Sequence, residues 1–518
     1  MPADDVQRLR AHLAGPRLTD TYWGWAGPLF VAAVAGLLRF FRLGTPHKLV
    51  FDETYYVKQA YTLLATGFEN RWPEEADASF TAGTPSIFLD AGDRAVHPPV
   101  GKWMLAVGIR LFGVDSSFGW RFAAAACGTL MVLMLARTAR RMFGSTLLGC
   151  AAGLLLAVDG NHLVMSRTAI LDIFLAFFAL AAFSALVADR FWARERLAEL
   201  VVARSGVGDR RDLGPWLVWR PWRLVAAVSL GLACGVKWSG LYFFAAFGLM
   251  TVLWDMGALR AAGVRRWASA GLLRDGITAF VTMAPVILVV YVSTWSGWIR
   301  SSGGYLRHWG SQHPSGVPVP DWLRSLWHYH ADMYKFHLTL NQEHTYMSNP
   351  WAWLIQSRPT SFFYEAPADV CGTEQCSQAI TSLGNPVVWW GGTLALLFVV
   401  AYWVGARDWR AGAILAGMAG GYLPWFAFQE RTIYTFYAVA FVPYTVLALT
   451  YGLGLVLGVD RVSVVAGRRQ RPTTLRVVAA AAVVLAAVVA AWFFWPVWVA
   501  EVIPHAAWQQ RMWLPSWI

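Results

Sequence analysis

About eleven mostly apolar segments recur along this chain, and most approach the roughly 20 residues that a helix needs to cross a lipid bilayer. Hydrophobic residues make up 57% of the 518 residues and charged residues only 14%, which is unlike a soluble domain. The sequence therefore predicts an all-α integral membrane protein, a polytopic bundle of about eleven transmembrane helices. The predicted spans are residues 24–42, 118–141, 145–160, 169–188, 223–237, 240–257, 276–297, 386–405, 411–428, 437–457 and 476–496.

The net charge of +12 does not indicate nucleic-acid binding, because the basic residues collect mostly in the short loops between the apolar segments. Short cytoplasmic loops are enriched in Arg and Lys. Three such loops, residues 189–223, 258–275 and 458–475, fall on one side of the membrane if the N-terminus is cytoplasmic. They contain the pairs Arg210-Arg211, Arg265-Arg266 and Arg468-Arg469. The start of the chain is polar, and the apolar run after it lacks a small-residue cleavage site and continues into other spans, so we expect no cleaved signal peptide.

Two long segments between predicted spans fall outside the cytoplasm on this topology. The first contains two predicted amphipathic helices, residues 52–66 and 99–112, and the second is dense in Trp, His and Tyr, as is typical of a membrane interface. The predicted organisation is a cytoplasmic N-terminus, residues 1–23; a transmembrane core, 24–297, with a first external loop, 43–117; a large external loop, 298–385; C-terminal helices, 386–496; and an external tail, 497–518.

The strongest local signal is the acidic pair Asp52-Glu53, which opens the first predicted external helix just beyond the first span. A carboxylate held there can act as a general base toward a hydroxyl group. The competing explanation is that Asp52 is an N-cap that accepts backbone N–H bonds. Adjacent positions on a helix point about 100° apart. We therefore predict Asp52 as the base and Glu53 as its orienting partner, both in the catalytic set.

Basic residues recur at the predicted external ends of the spans. A charge at membrane depth is costly and usually lines a polar cavity, and the helix start His97-Pro98-Pro99-Val100-Gly101-Lys102 suits a phosphate. Taken singly, each residue has the alternative of a snorkelling interface anchor. Together they predict a pocket for an anionic lipid headgroup, formed by Arg39, His97, Lys102, Arg121, Arg167, Asp172, Lys237 and Arg431.

The histidines and the two cysteines of the large loop are further candidates, the histidines for metal binding and the cysteines for a disulfide bond. The spacing of its histidines matches no metal-ligand pattern, so packing or acceptor recognition by neighbouring aromatic residues is the favoured interpretation of this region. Cys371 and Cys376 form either a local disulfide or two free thiols. The histidines are His328, His330, His337 and His344, and the aromatic residues are Tyr334, Trp351 and Trp353.

The order of these stretches resembles the protein O-mannosyltransferase family, membrane glycosyltransferases of the GT-C superfamily. The resemblance runs over nearly the whole chain and implies a GT-C type bundle in which Asp52 matches the family's acidic base. The eukaryotic members of this family carry a sugar-binding β-trefoil module in the large external loop. Residues 298–385 are too short to hold one, so the chain resembles the bacterial form. The matching stretches are Asp52-Glu53 with Lys58, His97 to Lys102, Arg121, Ser166-Arg167 to Leu171-Asp172, Lys237-Trp238-Ser239-Gly240, and Leu423-Pro424-Trp425 with Arg431.

This resemblance implies an inverting transferase that moves mannose from polyprenyl-phosphate-mannose to Ser/Thr hydroxyls of secreted or membrane proteins. The reaction would occur at the extracytoplasmic face of the cell membrane, with Lys58 and Trp238 among the substrate-binding residues. No cofactor is expected, although an Asp-Glu pair also suits a divalent cation, which leaves metal dependence open. Two alternatives are a related enzyme that transfers another polyprenyl-phosphate-linked sugar to a lipid or glycan, and a lipid-linked sugar flippase. Transporters commonly show paired repeats, and none is found here.

Overall fold

The computed structural model describes residues 3–15, 18–204, 213–458 and 472–518. Within these residues the chain is mostly helical. The arginine pairs Arg210-Arg211 and Arg468-Arg469, on which the predicted orientation partly depends, lie outside the described residues. Arg265-Arg266 lies in the turn before the helical segment that starts at Trp267.

Seven helices in the described part of the chain are long and apolar enough to cross a membrane. They confirm a multi-pass bundle, and each overlaps a predicted span. One of them starts earlier than predicted, because a π-helical turn, Ala270–Gly276, joins Trp267–Ser269 to Ile277–Thr294 in a continuous helix. The seven are Thr21–Phe40, Ser117–Phe143, Asp172–Ala203, Gly240–Ala261, Trp267–Thr294, Pro386–Ala406 and Thr474–Trp498.

The other four predicted spans form shorter helices: Thr146–Ala157, Pro221–Val236, Trp409–Gly421 and Val442–Leu457. Trp409–Gly421 ends early because Pro424, which lacks a backbone N–H, follows in the 3₁₀ turn Leu423–Ala427. The last of the four begins at Val442 because residues Thr435–Ala440 form a 3₁₀ turn. All eleven predicted segments are thus helical, seven of them long enough to cross a membrane and four of them shorter.

The first external loop contains the two predicted helices, which the structure gives as Glu53–Thr66 and Val100–Phe112. The second of these crosses the span Ser117–Phe143 almost backbone to backbone. A Cβ atom on Gly108 would lie 2.0 Å from the carbonyl oxygen of Gly119, so a larger residue cannot be accommodated there without separating the two helices. This close packing fixes the first loop against the bundle. The remaining α-helices are Ala3–Ala14, Ala76–Thr81, Gly160–Met165, Ser296–Arg300, Trp309–Gln312, Asp321–Thr339 and His505–Gln509.

A small antiparallel sheet, which the sequence analysis did not predict, joins the large loop to the C-terminal tail. Strand β1, Thr360–Glu365, pairs with β2, Cys376–Ser382, which pairs with β3, Val502–Pro504. Cys371, in the connection between β1 and β2, forms a disulfide bond with Cys376, the first residue of β2. The predicted alternative of two free thiols is therefore wrong, and the tail packs on the loop as one unit.

Candidate active site at the acidic pair

The acidic pair is held in place by an unusual backbone conformation at the residue before it. Phe51 has a φ of +49°, a left-handed conformation that costs a non-glycine residue about 1–3 kcal/mol. Its ring stacks on Phe362 of β1 at 4.9 Å between ring centroids and meets Phe436 edge-on at 5.7 Å. The aromatic packing therefore holds the turn from which the Asp52 side chain projects.

Asp52 precedes the helix Glu53–Thr66, but its side chain does not cap it. Among the residues that the structure describes, its carboxylate accepts no hydrogen bond and forms no ion pair. The N-cap explanation for this residue is therefore wrong. Burial raises the pKa of the Asp52 carboxyl to about 6, the charge of Lys237 opposes this rise, and that of Asp172 adds to it. An unengaged carboxylate with such a pKa suits a general base near neutral pH.

Glu53, in contrast, has no hydrogen-bond acceptor left free. Both carboxylate oxygens are bound to Arg121, with Nε–Oε1 and Nη2–Oε2 distances of 2.8 Å, and both partners are buried. The backbone N–H groups of Val50 and Ala169 donate to the same carboxylate. These contacts fit the predicted orienting role of Glu53, because the residue ties the acidic turn to the span Ser117–Phe143 and to the segment before the span Asp172–Ala203. It presents no lone pair to a substrate.

Three arginines predicted to bind phosphate are engaged inside the protein. Arg121 uses its other donors on the carbonyls of Leu43, Pro46 and Lys48. Arg167 donates to carbonyls at the end of the first span, including those of Leu38, Arg39 and Phe41, and so acts as a helix C-cap. Arg39 is fully buried and bonded to the carbonyl of Ala35 and to His162. All three arginines therefore bond to the protein's own backbone in this structure, although the buried Nε of Arg39 has no partner within the described residues. Their predicted phosphate contacts stay predictions.

Two predicted lysines are also paired within the first loop. Lys102 is buried, forms an ion pair with Glu69 and donates to the carbonyl of His97 at 2.9 Å. Lys58 pairs with Asp77 at 2.6 Å. Both ammonium groups thus bind carboxylates of the first loop and help to order it. Their predicted phosphate contacts stay predictions.

The remaining predicted residues converge around Asp52. Lys237 pairs with Asp172 at 2.7 Å, and its Nζ lies 5.1 Å from the ring centroid of Tyr437. The pKa of His97 is lowered well below its ordinary value, first by burial and then by the charge of Lys237, among other cations. Trp238 next to Lys237 donates its indole N–H to the hydroxyl of Tyr291 at 2.9 Å. These contacts define a polar pocket, here called the Asp52 pocket.

Arg431 provides a cation in this pocket that no carboxylate within the described ranges neutralises. Its Nη2 donates to Nδ1 of His337 at 3.0 Å, and its buried Nε has no partner in that part of the chain. His337 donates through Nε2 to the carbonyl of Val96, which fixes the tautomer that accepts from Arg431. Burial and the Arg431 charge lower the pKa of His337 to about 4. The neutral imidazole therefore aims the guanidinium without competing for an anion.

Some residues of the pocket were not singled out from the sequence. Tyr56 lies four positions after Asp52, on the same helix face, and this spacing was an available signal. The pKa of its phenol is raised well above the ordinary value by burial and by the charge of Asp52. Tyr437 comes from a distant segment and gave no local signal, and His337 was singled out only as one of the histidines of the large loop. Of the aromatic residues considered for acceptor recognition, Trp353 is buried in the core, whereas Trp351 is 72% exposed and contacts Phe426.

The four loop histidines are spread over different surroundings. His328 stacks on Trp309 at 4.0 Å, His330 lies beside Trp238, and His344 faces Tyr434. Across residues 3–15, 18–204, 213–458 and 472–518, no group of three or more His, Cys, Asp or Glu side chains is placed to hold a metal ion.

Solved structures with the same architecture define the class. The fold is similar to that of the Saccharomyces cerevisiae protein O-mannosyltransferase Pmt1-Pmt2 complex bound to its sugar donor, with a TM-score of 0.70, 14% identity and coverage of 100% of this chain and 94% of that one. It is also similar to the archaeal oligosaccharyltransferase AglB from Archaeoglobus fulgidus, with a TM-score of 0.50, 13% identity and coverage of 94% of this chain and 57% of that one. The fold is therefore that of the GT-C polytopic membrane glycosyltransferases.

Sequence relatives define the family. The chain is 37% identical to the polyprenol-phosphate-mannose–protein mannosyltransferase of Mycolicibacterium smegmatis over 96% of this chain and 94% of that protein, and 34% identical to the Corynebacterium glutamicum protein of the same name with the same coverage. Residues 96–208 match the family described as dolichyl-phosphate-mannose-protein mannosyltransferase, and residues 322–412 match the C-terminal four-transmembrane region of protein O-mannosyltransferases. The chain belongs to the polyprenol-phosphate-mannose–protein mannosyltransferase family, which confirms the resemblance found in its sequence.

Proposed function

We propose that the chain transfers mannose from polyprenyl-phosphate-mannose to Ser or Thr hydroxyls of secreted or membrane proteins, with inversion, at the extracytoplasmic face of the cell membrane. The observation that carries this proposal is the unengaged Asp52 carboxylate, with a pKa of about 6, in a pocket whose cations include Lys237 and Arg431. The relatives named above support the donor and the protein acceptor.

The carboxylate of Asp52 is the general base. It removes the proton of the acceptor hydroxyl while the hydroxyl oxygen forms a bond to C1 of mannose, and the bond from C1 to the phosphate oxygen breaks on the opposite face. Polyprenyl phosphate leaves as an anion and takes the bonding electron pair. A phosphate needs no proton to leave, so one carboxylate suffices, whereas the hydrolysis of an ordinary glycoside uses two.

The cations of the pocket stabilise the charge that develops on the leaving phosphate. Arg431 is assigned the direct contact, because its guanidinium is aimed by His337 and has no carboxylate partner within the described residues. Lys237 retains Asp172 as its partner, and its charge acts on the Asp52 carboxyl, where it favours the ionised base. The reaction as proposed assigns no step to a divalent cation.

An assay with labelled donor tests the function directly. Membranes or proteoliposomes containing the protein, incubated with radiolabelled polyprenyl-phosphate-mannose and a Ser/Thr-rich peptide, should label the peptide, and alkaline β-elimination should release the label. Label found only in lipid or glycan would refute the protein acceptor. A parallel incubation with EDTA should leave the rate unchanged, and a loss restored by Mg²⁺ or Mn²⁺ would add a metal to the mechanism.

Removal of the Arg431 charge is predicted to slow the reaction with the lipid-linked mannose donor. Arg431→Gln should lower kcat/KM for the lipid-linked mannose by roughly 10²–10³-fold, which is the scale of removing one charge-stabilising donor. Lys335→Gln is the matched control, since Lys335 is an exposed cation of the large loop, and its rate should stay near that of the wild type. Equal rates for Arg431→Gln and the control would contradict the assigned phosphate contact.

A further inference from the structure

The helix Asp321–Thr339 of the large loop has an exposed apolar face that the proposed reaction does not use. Four large side chains on it are solvent-accessible, Leu323 at 38%, Trp327 at 78%, Tyr334 at 57% and Leu338 at 58%. Their spacing of four, seven and four residues places them on one face of a helix. The small exposed residue Ala331 lies between them. We call these four residues and Ala331 the apolar stripe.

The opposite face of this helix is fixed to the bundle. Tyr329 and Met333 are buried, and the ring of Tyr329 lies 5.4 Å from that of Trp295, directly after the span Trp267–Thr294. The hydroxyl of Tyr329 donates to the carbonyl of Ala95, and Asp332 pairs with Arg94 of the first loop. The helix therefore lies at the end of a membrane span with the apolar stripe turned away from the protein.

The chemistry of the stripe indicates that it packs against a lipid surface. From Leu323 to Leu338 it extends about 22 Å at 1.5 Å per residue, too short to cross the roughly 30 Å hydrocarbon core. It contains no charged residue and includes one Trp and one Tyr, which favour the membrane interface. The adjoining span also exposes apolar side chains, Leu288 at 62% and Val289 at 67%, which face lipid in a multi-pass protein. A helix fixed at the end of such a span is placed where its apolar stripe meets the same bilayer at the interface.

The inner side of the same helix contacts the Asp52 pocket. His337 accepts the hydrogen bond from Arg431, and His330 accepts one from the hydroxyl of Tyr291, which itself accepts from Trp238. A displacement of the helix would move both histidines and so the guanidinium of Arg431. The position of the helix relative to the bilayer is thus coupled to the cation of the pocket.

We propose that the apolar stripe of Leu323, Trp327, Ala331, Tyr334 and Leu338 inserts into the membrane interface as an in-plane anchor that holds Arg431 and its histidine partner in register with a membrane-embedded donor. Burial of the stripe in lipid stabilises the helix through its apolar area. The anchor is a lipid-binding surface distinct from the pocket that takes the donor headgroup.

Spin labels test the anchor independently of any enzymatic activity. Nitroxides at Trp327→Cys and Leu338→Cys, in a variant whose unpaired Cys127, Cys150 and Cys234 are replaced by alanine, should be accessible to oxygen and protected from a water-soluble nickel chelate in phospholipid nanodiscs. Thr339→Cys, exposed on the same helix but off the stripe, should show the reverse. Nickel access at all three positions would overturn the proposal. Protection from both reagents at 327 and 338 would indicate a protein partner, such as a second copy, and would also overturn it.

A kinetic comparison tests the coupling, and this part rests on the proposed function. The double variant Trp327→Ser/Leu338→Ser should raise the KM for a long-chain polyprenyl donor in proteoliposomes several-fold, with kcat retained and with a short-chain, water-soluble donor used as well as by the wild type. An equal loss with both donors would refute the coupling. Absence of transfer by the wild type would refute the proposed function and leave the spin-label result intact.

Discussion

Asp52→Asn should abolish mannosyl transfer, with a loss of at least ~10³-fold in kcat, while the protein stays folded and still binds the lipid-linked donor. The amide keeps the shape of the side chain but cannot accept the proton of the acceptor hydroxyl, and general bases typically contribute about 10²–10⁴-fold. Thermal unfolding in detergent should occur at the same or a higher temperature than in the wild type, because an unpaired, desolvated carboxylate has been replaced by a neutral group.

The wild-type pH profile and a matched variant complete this test. Since the pKa of Asp52 is about 6, transfer should be fully present above that value and fall as the pH drops through it, because protonation removes the base. Asp90→Asn, which alters an exposed carboxylate of the same loop, should keep both the rate and the profile. Normal product formation by Asp52→Asn would remove Asp52 from the role of base.

Glu53→Ala should damage the fold rather than the chemistry alone. Its loss leaves the Arg121 guanidinium buried without its carboxylate, and breaking such a pair costs about 3–5 kcal/mol. We expect a lower unfolding temperature, less folded protein in the membrane and loss of activity in proportion. The double variant Glu53→Ala/Arg121→Met should recover part of the stability, because the unpaired charge is removed as well.

A solvent-exposed ion pair between the first external loop and the large loop provides the control. Glu365→Ala breaks the pair with Lys48, in which both side chains are substantially exposed, and such pairs contribute about 0–1 kcal/mol. Its stability should stay near that of the wild type. If Glu53→Ala folded normally and lost only kcat, Glu53 would act in the reaction itself, and a purely positioning role for it would be wrong.

The contacts of Asp52 also bear on the flippase alternative. In a flippase, Asp52 would serve as a salt-bridge partner. The Asp52 carboxylate forms no ion pair within the described part of the chain. The carboxylate that does form a buried salt bridge is its neighbour Glu53. Two adjacent acids thus have opposite surroundings, one fully bonded and one unengaged, and this contrast favours catalysis over transport.

The sequence by itself determined the bundle of apolar helices, the two amphipathic helices of the first loop and the acidic pair. These features depend on composition and on spacing within one segment, which a linear pattern contains. The divergence of adjacent helix positions predicted different roles for Asp52 and Glu53, and the assignment of the base to Asp52 stays a prediction. The sheet between the large loop and the tail left no such signal, because β1 and β3 lie far apart in the chain and pair only through β2.

Only the tertiary structure decided which cations face the Asp52 pocket. Arg39, Arg121 and Arg431 look alike as arginines at predicted span ends, but their partners lie far away in sequence. Arg39 is bonded to His162, 123 positions later, and Arg121 to Glu53, 68 positions earlier. Glu53 neutralises Arg121, whereas Arg39 and Arg431 each donate to a histidine and keep a buried Nε without a partner in the described residues. Arg431 differs from Arg39 in its position, because its charge acts on His97 and Tyr437 of the Asp52 pocket and the charge of Arg39 acts on Asp159. Burial and pairing are properties of the assembled bundle, so no local pattern could rank the three.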